Sequence, residues 1–133
     1  MQVRAPADLA VVTHAQRLSH YVFKVTKKAP AYYRQTYAYR MQNLSLEIIE
    51  QLFRANQVFI GRGARPGAAE RRRDRQDEAM AGAKLVVFLA QMAHEEGVIL
   101  EKQFQHIAEL AGTCEHLLAA WIKSDARRTA GEG

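Results

Sequence analysis

The sequence predicts an all-α fold, an up-down-up-down antiparallel four-helix bundle, and three observations carry that expectation. Apolar residues recur at helical spacing along almost the whole chain. Strand signals are scarce, with no sustained alternation of apolar and polar residues and no Asn-Gly or Asp-Gly turn. Breaks rich in proline or glycine divide the helical pattern into four segments, and short breaks favour antiparallel neighbours.

The first segment covers about 9–28, after a short tail at 1–8. Val11, Ala15, Leu18, Val22 and Val25 fall on one helical face. Lys27 and Lys28 suit a helix C-terminus, and Pro30 stops the helix because it cannot donate the next backbone hydrogen bond.

The second covers about 31–60, a rod of roughly 45 Å. Its stripe is Tyr33, Tyr37, Met41, Leu44, Ile48, Leu52, Ala55 and Phe59. Leu46, Ile49 and Phe53 widen the stripe, which predicts a helix covered on more than one side. The run "GRGARPG" ends it.

The third covers about 69–96, with Ala79, Gly82, Val86, Leu89 and Ala93 in register and Leu85, Phe88 and Met92 beside them. Its first turns are polar all round, so they are expected to project past the core or meet a partner. Gly97 is the expected C′ residue.

The fourth covers about 100–125, where Phe104, Ile107, Ala111, Cys114, Leu118 and Trp121 share a face. The remainder, 126–133, reads as a disordered tail. Small residues in the facing stripes (Ala15, Ala55, Gly82, Ala83, Ala111) allow close helix approach.

At 133 residues the chain makes one domain, and 48% hydrophobic with 25% charged residues excludes wholesale disorder. Cys114 is the only cysteine, so an intramolecular disulfide and a cysteine-built metal site are excluded. No stretch has the apolar length of a signal peptide or membrane span, which makes the cytoplasm the expected compartment and a membrane an unexpected partner.

Enzymatic patterns are nearly empty. The five histidines form no i,i+3 or i,i+4 pair within a helix, and the "HEEG" at His94 has Val98 where a zinc site would need a second histidine. "GRGARPG" lacks the Lys-Ser/Thr ending of a phosphate loop and follows a helix. No catalytic residue, metal or cofactor is expected, and Cys114 reads as a small core residue.

Charge carries more. The net charge of +5 leans towards a polyanionic partner. Between positions 61 and 78, Arg62, Arg65, Arg71, Arg72, Arg73 and Arg75 face Glu70, Asp74, Asp77 and Glu78, a net of +2. Several of these can pair within the helix, Arg73 with Asp77 and Glu70 with Arg73. From Leu9 to Leu46 there is no acid, yet Arg17, Lys24, Lys27, Lys28, Arg34 and Arg40 interleave with Tyr32, Tyr33, Tyr37 and Tyr39. Lysine and arginine suit phosphate, and exposed tyrosine stacks on bases; the competing reading is that Tyr33 and Tyr37 are core and the lysines merely solvated. Bundle topology would bring Lys123, Arg127 and Arg128 beside the arginine cluster, and Glu95, Glu96 and Glu101 towards Lys27 and Lys28.

"P..YR" at 30–34, "EIIEQLFRAN" at 47–56 and "AAWIKSDARR" at 119–128 carry a likeness that spans about 14–128. The chain resembles the accessory variability determinants, the four-helix-bundle accessory proteins of diversity-generating retroelements. Bundle proteins encoded in ribosomal RNA intervening sequences share the general pattern. The resemblance implies a non-enzymatic homopentamer that binds the element's reverse transcriptase and its template RNA, cDNA or RNA/DNA hybrid during mutagenic reverse transcription. By charge character, it implies contacts through Arg62, Arg65, Arg71, Arg72, Arg73, Arg75, Lys24, Lys27, Lys28, Arg34 and Arg40, with Lys123, Arg127 and Arg128 reinforcing the arginine corner. Leu100 departs from the pattern, since a capping Ser or Asp is expected before "EKQF". The alternative expectation is an oligomeric structural or protein-interaction bundle, ribosome- or RNA-associated, whose wide apolar surface (Phe53, Phe59, Trp121, Ile122) buries between subunits.

Overall fold

The computed structural model describes residues 6–132, and side chains from 10 to 131. Its elements are helices α1 (Pro6–Thr26), α2 (Ala31–Tyr33), a π-helical turn (Arg34–Ala38), α3 (Tyr39–Gln57), α4 (Ala68–Glu95) and α5 (Glu101–Glu132). No strand occurs among the described residues. α2, the π turn and α3 run on as one helix, so the chain folds as four helical rods. α1 packs on α3 and α5, and α4 packs on the same two, which closes a ring around one core. The fold is a helical bundle. The predicted tail at 1–8 lies largely outside the described residues, and α1 opens at Pro6, a residue type tolerated in a first helical turn.

The inner stripes read from the sequence form this core. Val11, Ala15, Leu18 and Val22 of α1 meet Met41, Leu44, Ile48, Leu52 and Ala55 of α3. Ala79, Ala83, Val86, Ala90 and Ala93 of α4 meet Ile107, Ala111, Cys114, Leu118 and Trp121 of α5. Gly82 marks a close approach of α4 to α3: a Cβ there would lie 2.9 Å from Ile48 Cγ1. The small residue is what lets these two rods touch.

The π turn has a readable cause. Tyr33, Tyr37 and Met41 step by four twice, one residue more than a seven-residue repeat allows. The wider turn absorbs that residue, with Tyr39 N–H donating to Arg34 O, and keeps Tyr37 half-buried and Ala38 buried.

Two helix ends obey their local chemistry. Gly97 adopts φ 78°, its N–H donates to His94 O at 2.9 Å, and Val98 N–H donates to Ala93 O at 2.8 Å. That is the paired closure expected of a glycine C′ residue. At the start of α5, Leu100 cannot cap, but Gln103 Oε1 accepts from Leu100 N–H at 2.9 Å, which is half of a capping box.

Four expectations are corrected. α3 ends at Gln57 rather than near 60, so Phe59 leaves the stripe and is 49% exposed, while Ile60 takes the buried place. Leu46 and Phe53 are exposed, because among the described residues α3 packs mainly on α1 and α4 and its outer face stays open. Trp121 is buried against the core and is not part of an outer apolar surface. α5 continues to Glu132 instead of ending near 125, with Thr129 half-buried, facing a cleft with Ile60 and Ala69, and bonded back to Asp125 O at 3.0 Å.

Candidate nucleic-acid interface

The first basic corner lies where α1 hands over to α2. Ala29 N–H donates to Thr26 O at 3.1 Å and Tyr33 N–H to Pro30 O at 2.9 Å, so the chain reverses in a tight, bonded turn. Thr26 Oγ1 donates to Val22 O at 2.7 Å and accepts from Gln42 Nε2 at 2.9 Å, fastening the end of α1 to α3. Ala29 is buried under the turn, and Lys27 and Lys28, between Thr26 and Ala29 in sequence, are exposed to solvent. Lys24, one turn earlier, is exposed as well.

Arg34 belongs to the same corner, since its Nε donates to Ala29 O at 3.1 Å. Tyr32 stands 85% exposed beside it. Its ring meets Tyr33 edge-on at 5.0 Å, and Tyr33, half-buried, leans on Tyr37 at 6.0 Å. Among the described residues, none of Lys24, Lys27, Lys28 and Arg34 joins an ion pair, and Glu95, Glu96 and Glu101 make none with them. Arg40 does not join this corner. It lines the groove between α3 and α4 with Glu47, Glu50 and Glu78, a setting that offsets its charge.

The second basic corner combines the 58–67 loop, the start of α4 and the end of α5. Here Arg72 is the largest correction, because it is 5% exposed and cannot meet a ligand. Its Nε and Nη2 donate to Asp125 Oδ2 and Oδ1 at 2.7 and 3.0 Å, and its Nη1 donates to Val58 O at 3.2 Å. The guanidinium lies 4.9 Å from the centre of the Trp121 ring. Gln76 Nε2 adds a donor to Asp125 Oδ2 at 2.9 Å. Burial disfavours both charges, and this full set of partners is what makes the pair tolerable. Trp121 Nε1 is buried there without a hydrogen-bond partner among the described residues.

The other arginines of this corner are exposed but mostly engaged. Arg73 pairs with Asp77 at 2.8 Å, as spacing predicts, and makes no ion pair with Glu70. Arg71 Nη1 donates to Pro66 O at 3.0 Å, and Arg75 Nη1 donates to Gln51 Oε1 at 3.2 Å. Arg62 and Arg65 sit exposed on the loop, which shares a cleft with Thr129 and Gly131 of α5. The Arg72–Asp125 pair brings the end of α5 alongside the arginine cluster, where Arg128 Nη1 lies 3.7 Å from Asp125 Oδ1 and Lys123 and Arg127 are exposed. Glu70, Asp74 and Glu78 are exposed on the same helix. This corner is a mixed-charge surface.

Arg72, Gln76 and Asp125 form a cluster that sequence reasoning missed. The signal was present in the spacing: Arg72, Gln76, Ala79 and Ala83 step by 4, 3 and 4, and so do Cys114, Leu118, Trp121 and Asp125. Extending the α5 stripe by one turn and the α4 stripe by two lands on opposite polar partners. The Ser19–Ser45 contact at 2.9 Å between α1 and α3 is also buried, with both hydroxyls inside the apolar stripes of their helices.

Burial, and then the neighbouring Glu115 carboxylate, push the Cys114 thiol up from 9.0 to about 11, which leaves it protonated and unreactive near neutrality. Among the described residues, no three His, Cys, Asp or Glu side chains group as metal ligands would. His94 lies stacked on Phe104 and His106 meets Tyr21 edge-on. No described helix is long and apolar enough to cross a membrane.

Comparison with protein-family models, curated proteins and solved structures found no match to this chain.

Proposed function

We propose that this chain is a non-catalytic nucleic-acid-binding bundle that serves as an accessory to reverse transcription in a diversity-generating retroelement, engaging both template RNA or cDNA and the reverse transcriptase. The observation that supports binding is the basic corner of Lys24, Lys27, Lys28 and Arg34, which lies in a stretch of sequence without acids and whose cations make no ion pair among the described residues. Free surface cations release counterions from a polyanion on contact, whereas pre-paired ones exchange one partner for another. The retroelement role and the reverse transcriptase as partner rest on the sequence resemblance alone. The reading takes the bundle as up-down-up-down and antiparallel. The cross-helix contacts Gln42–Thr26 and Ser45–Ser19, then Arg75–Gln51 and Gly82–Ile48, run in opposite senses along the two helices of each pair and support that arrangement.

Titrating labelled single-stranded RNA at several salt concentrations tests the proposal. Affinity is expected to fall steeply as salt rises, with a slope of about 0.7 per phosphate contacted. Unchanged migration of RNA with and without the protein at low salt would refute it. Co-purification with a reverse transcriptase encoded beside it tests the accessory role.

A second reading, a self-assembling protein-interaction bundle, is favoured by one feature. Leu46 and Phe53 on α3 and Leu85, Phe88 and Met92 on α4 are exposed apolar side chains that the single chain leaves uncovered. The two readings are compatible, because an oligomer multiplies each basic corner. A monomeric mass by light scattering at high protein concentration would remove assembly, including the pentamer.

A further inference from the structure

We infer that the corner between α1 and α2 reads nucleic acid as single strand, with an unpaired base stacking on Tyr32 and the flanking phosphates held by Lys27, Lys28 and Arg34. This rests on the nucleic-acid reading above and adds the mode of recognition.

Tyr32 is the most exposed of the large hydrophobic side chains among the described residues, at 85%. The fold has no use for it there: it buries almost nothing, and its one ring contact is the edge-on approach of Tyr33 at 5.0 Å and 89°. That contact nevertheless braces the ring. Tyr33 is itself held by Tyr37, and the backbone beneath is fixed by Pro30 at φ −55° and by the Tyr33 to Pro30 hydrogen bond at 2.9 Å. A pre-set aromatic surface loses little freedom on binding, and a tyrosine has few torsions to fix.

The surroundings select the partner. A base stacks on an aromatic ring whatever its identity, but a base within a duplex already has both faces covered. Lys27 and Lys28 precede the ring by a few residues and Arg34 follows it, so cations flank the ring on both sides in sequence. Arg34 commits Nε to Ala29 O, which orients the guanidinium while leaving its terminal nitrogens available to a phosphate. No carboxylate occurs in the chain from Leu9 to Leu46. An anionic membrane would satisfy the same charges, but the side chains next to Tyr32 (Ala31, Gln35, Thr36) offer nothing aliphatic and long enough to insert among lipid chains.

Fluorescence anisotropy on the full chain decides the matter, with a labelled RNA single strand of about 16 nucleotides and a duplex of the same length as probes. The single strand is expected to bind more tightly than the duplex. Tyr32→Ala is expected to weaken single-strand binding by roughly tenfold and duplex binding hardly at all, and Tyr32→Phe to retain it. Because the side chain is exposed, circular dichroism of each variant should match the parent. Equal affinity for the two probes, or single-strand binding indifferent to Tyr32→Ala, would overturn the stacking mode and leave the electrostatic proposal standing. No binding to either probe would remove both. Phosphatidylserine vesicles provide the third arm: binding to them that depends on Tyr32, with none to RNA, would reassign the corner to a membrane surface.

Discussion

Arg72 and Asp125, 53 positions apart, are joined by two hydrogen bonds of 2.7 and 3.0 Å beneath the surface where α4 begins and α5 ends. Their side chains are only 6% and 11% exposed, so water does little to screen or replace the pairing. The planar fork of the guanidinium meets both carboxylate oxygens at once, and the Trp121 ring stacks nearby. The pair turns an arginine-rich sequence, which by composition suggests a ligand, into a structural fastening.

Breaking one side of that fastening should cost far more than removing both. Asp125→Ala leaves Arg72 buried and uncompensated, with an expected loss of about 3–5 kcal/mol. The double change Arg72→Met with Asp125→Leu should recover most of that stability, since apolar side chains of similar volume replace buried ion pairs without penalty. Urea unfolding of the two variants beside the parent makes the comparison. A surface role for Arg72 would instead give a near-neutral Asp125→Ala.

Gly82 should resist even the smallest side chain. Alanine favours a helix over glycine by about 1 kcal/mol. Its Cβ would stand 2.9 Å from Ile48 Cγ1, a buried, β-branched side chain with little room to turn away. Overpacking of this kind costs about 1–3 kcal/mol, so steric strain outweighs propensity and Gly82→Ala lowers the melting temperature. In an Ile48→Ala background the obstruction is gone, and the same substitution should then be stabilising. Thermal melts of the four proteins in that cycle separate the two effects.

The two basic corners should differ in their share of polyanion binding. Lys27→Ala with Lys28→Ala removes two cations that make no ion pair among the described residues, and the salt slope for single-stranded RNA should drop by about 0.7 for each. Arg73→Ala with Arg75→Ala removes side chains already bound to Asp77 and Gln51, and the slope should change less. The salt dependence of anisotropy titrations measures both.

Cys114 should be silent to thiol reagents in the native protein at pH 8 and react fully once unfolded, because its thiol is buried and pushed up to about 11. The sign of the pH effect follows from which state ionises first. Below 9.0 the thiol is protonated in both states and contributes nothing to pH dependence. Between 9.0 and about 11 only the unfolded chain ionises, which draws the equilibrium towards unfolding, so stability falls as pH rises through that window. Urea unfolding across this range should therefore show the advantage of the parent over Cys114→Ala shrinking as pH rises.

Much of the fold was legible because helical period and breakers are local signals. The stripes Val11–Ala15–Leu18–Val22 and Ile107–Ala111–Cys114–Leu118 could be read directly, since burial of an apolar face at 3.6 residues per turn leaves few alternatives. Gly97 could be read because a left-handed φ favours glycine. The candidate site was harder. Lys27, Lys28 and Arg34 were marked by the absence of nearby acids, a feature of the sequence itself, whereas grouping Arg40 with them required knowing which way α3 faces.

The sequence by itself determined four amphipathic segments, their inner faces, the small residue at 82 and the uneven distribution of acids, all of which depend on neighbours within a few turns. Only the tertiary structure decided the fate of charge and apolar surface. It buried Arg72 against a carboxylate 53 positions away, left Leu46 and Phe53 open, and stood Tyr32 in solvent on a braced turn. The physical reason is that helical propensity is local, while the worth of a charge or a ring depends on what other segments bring within a few ångströms of it.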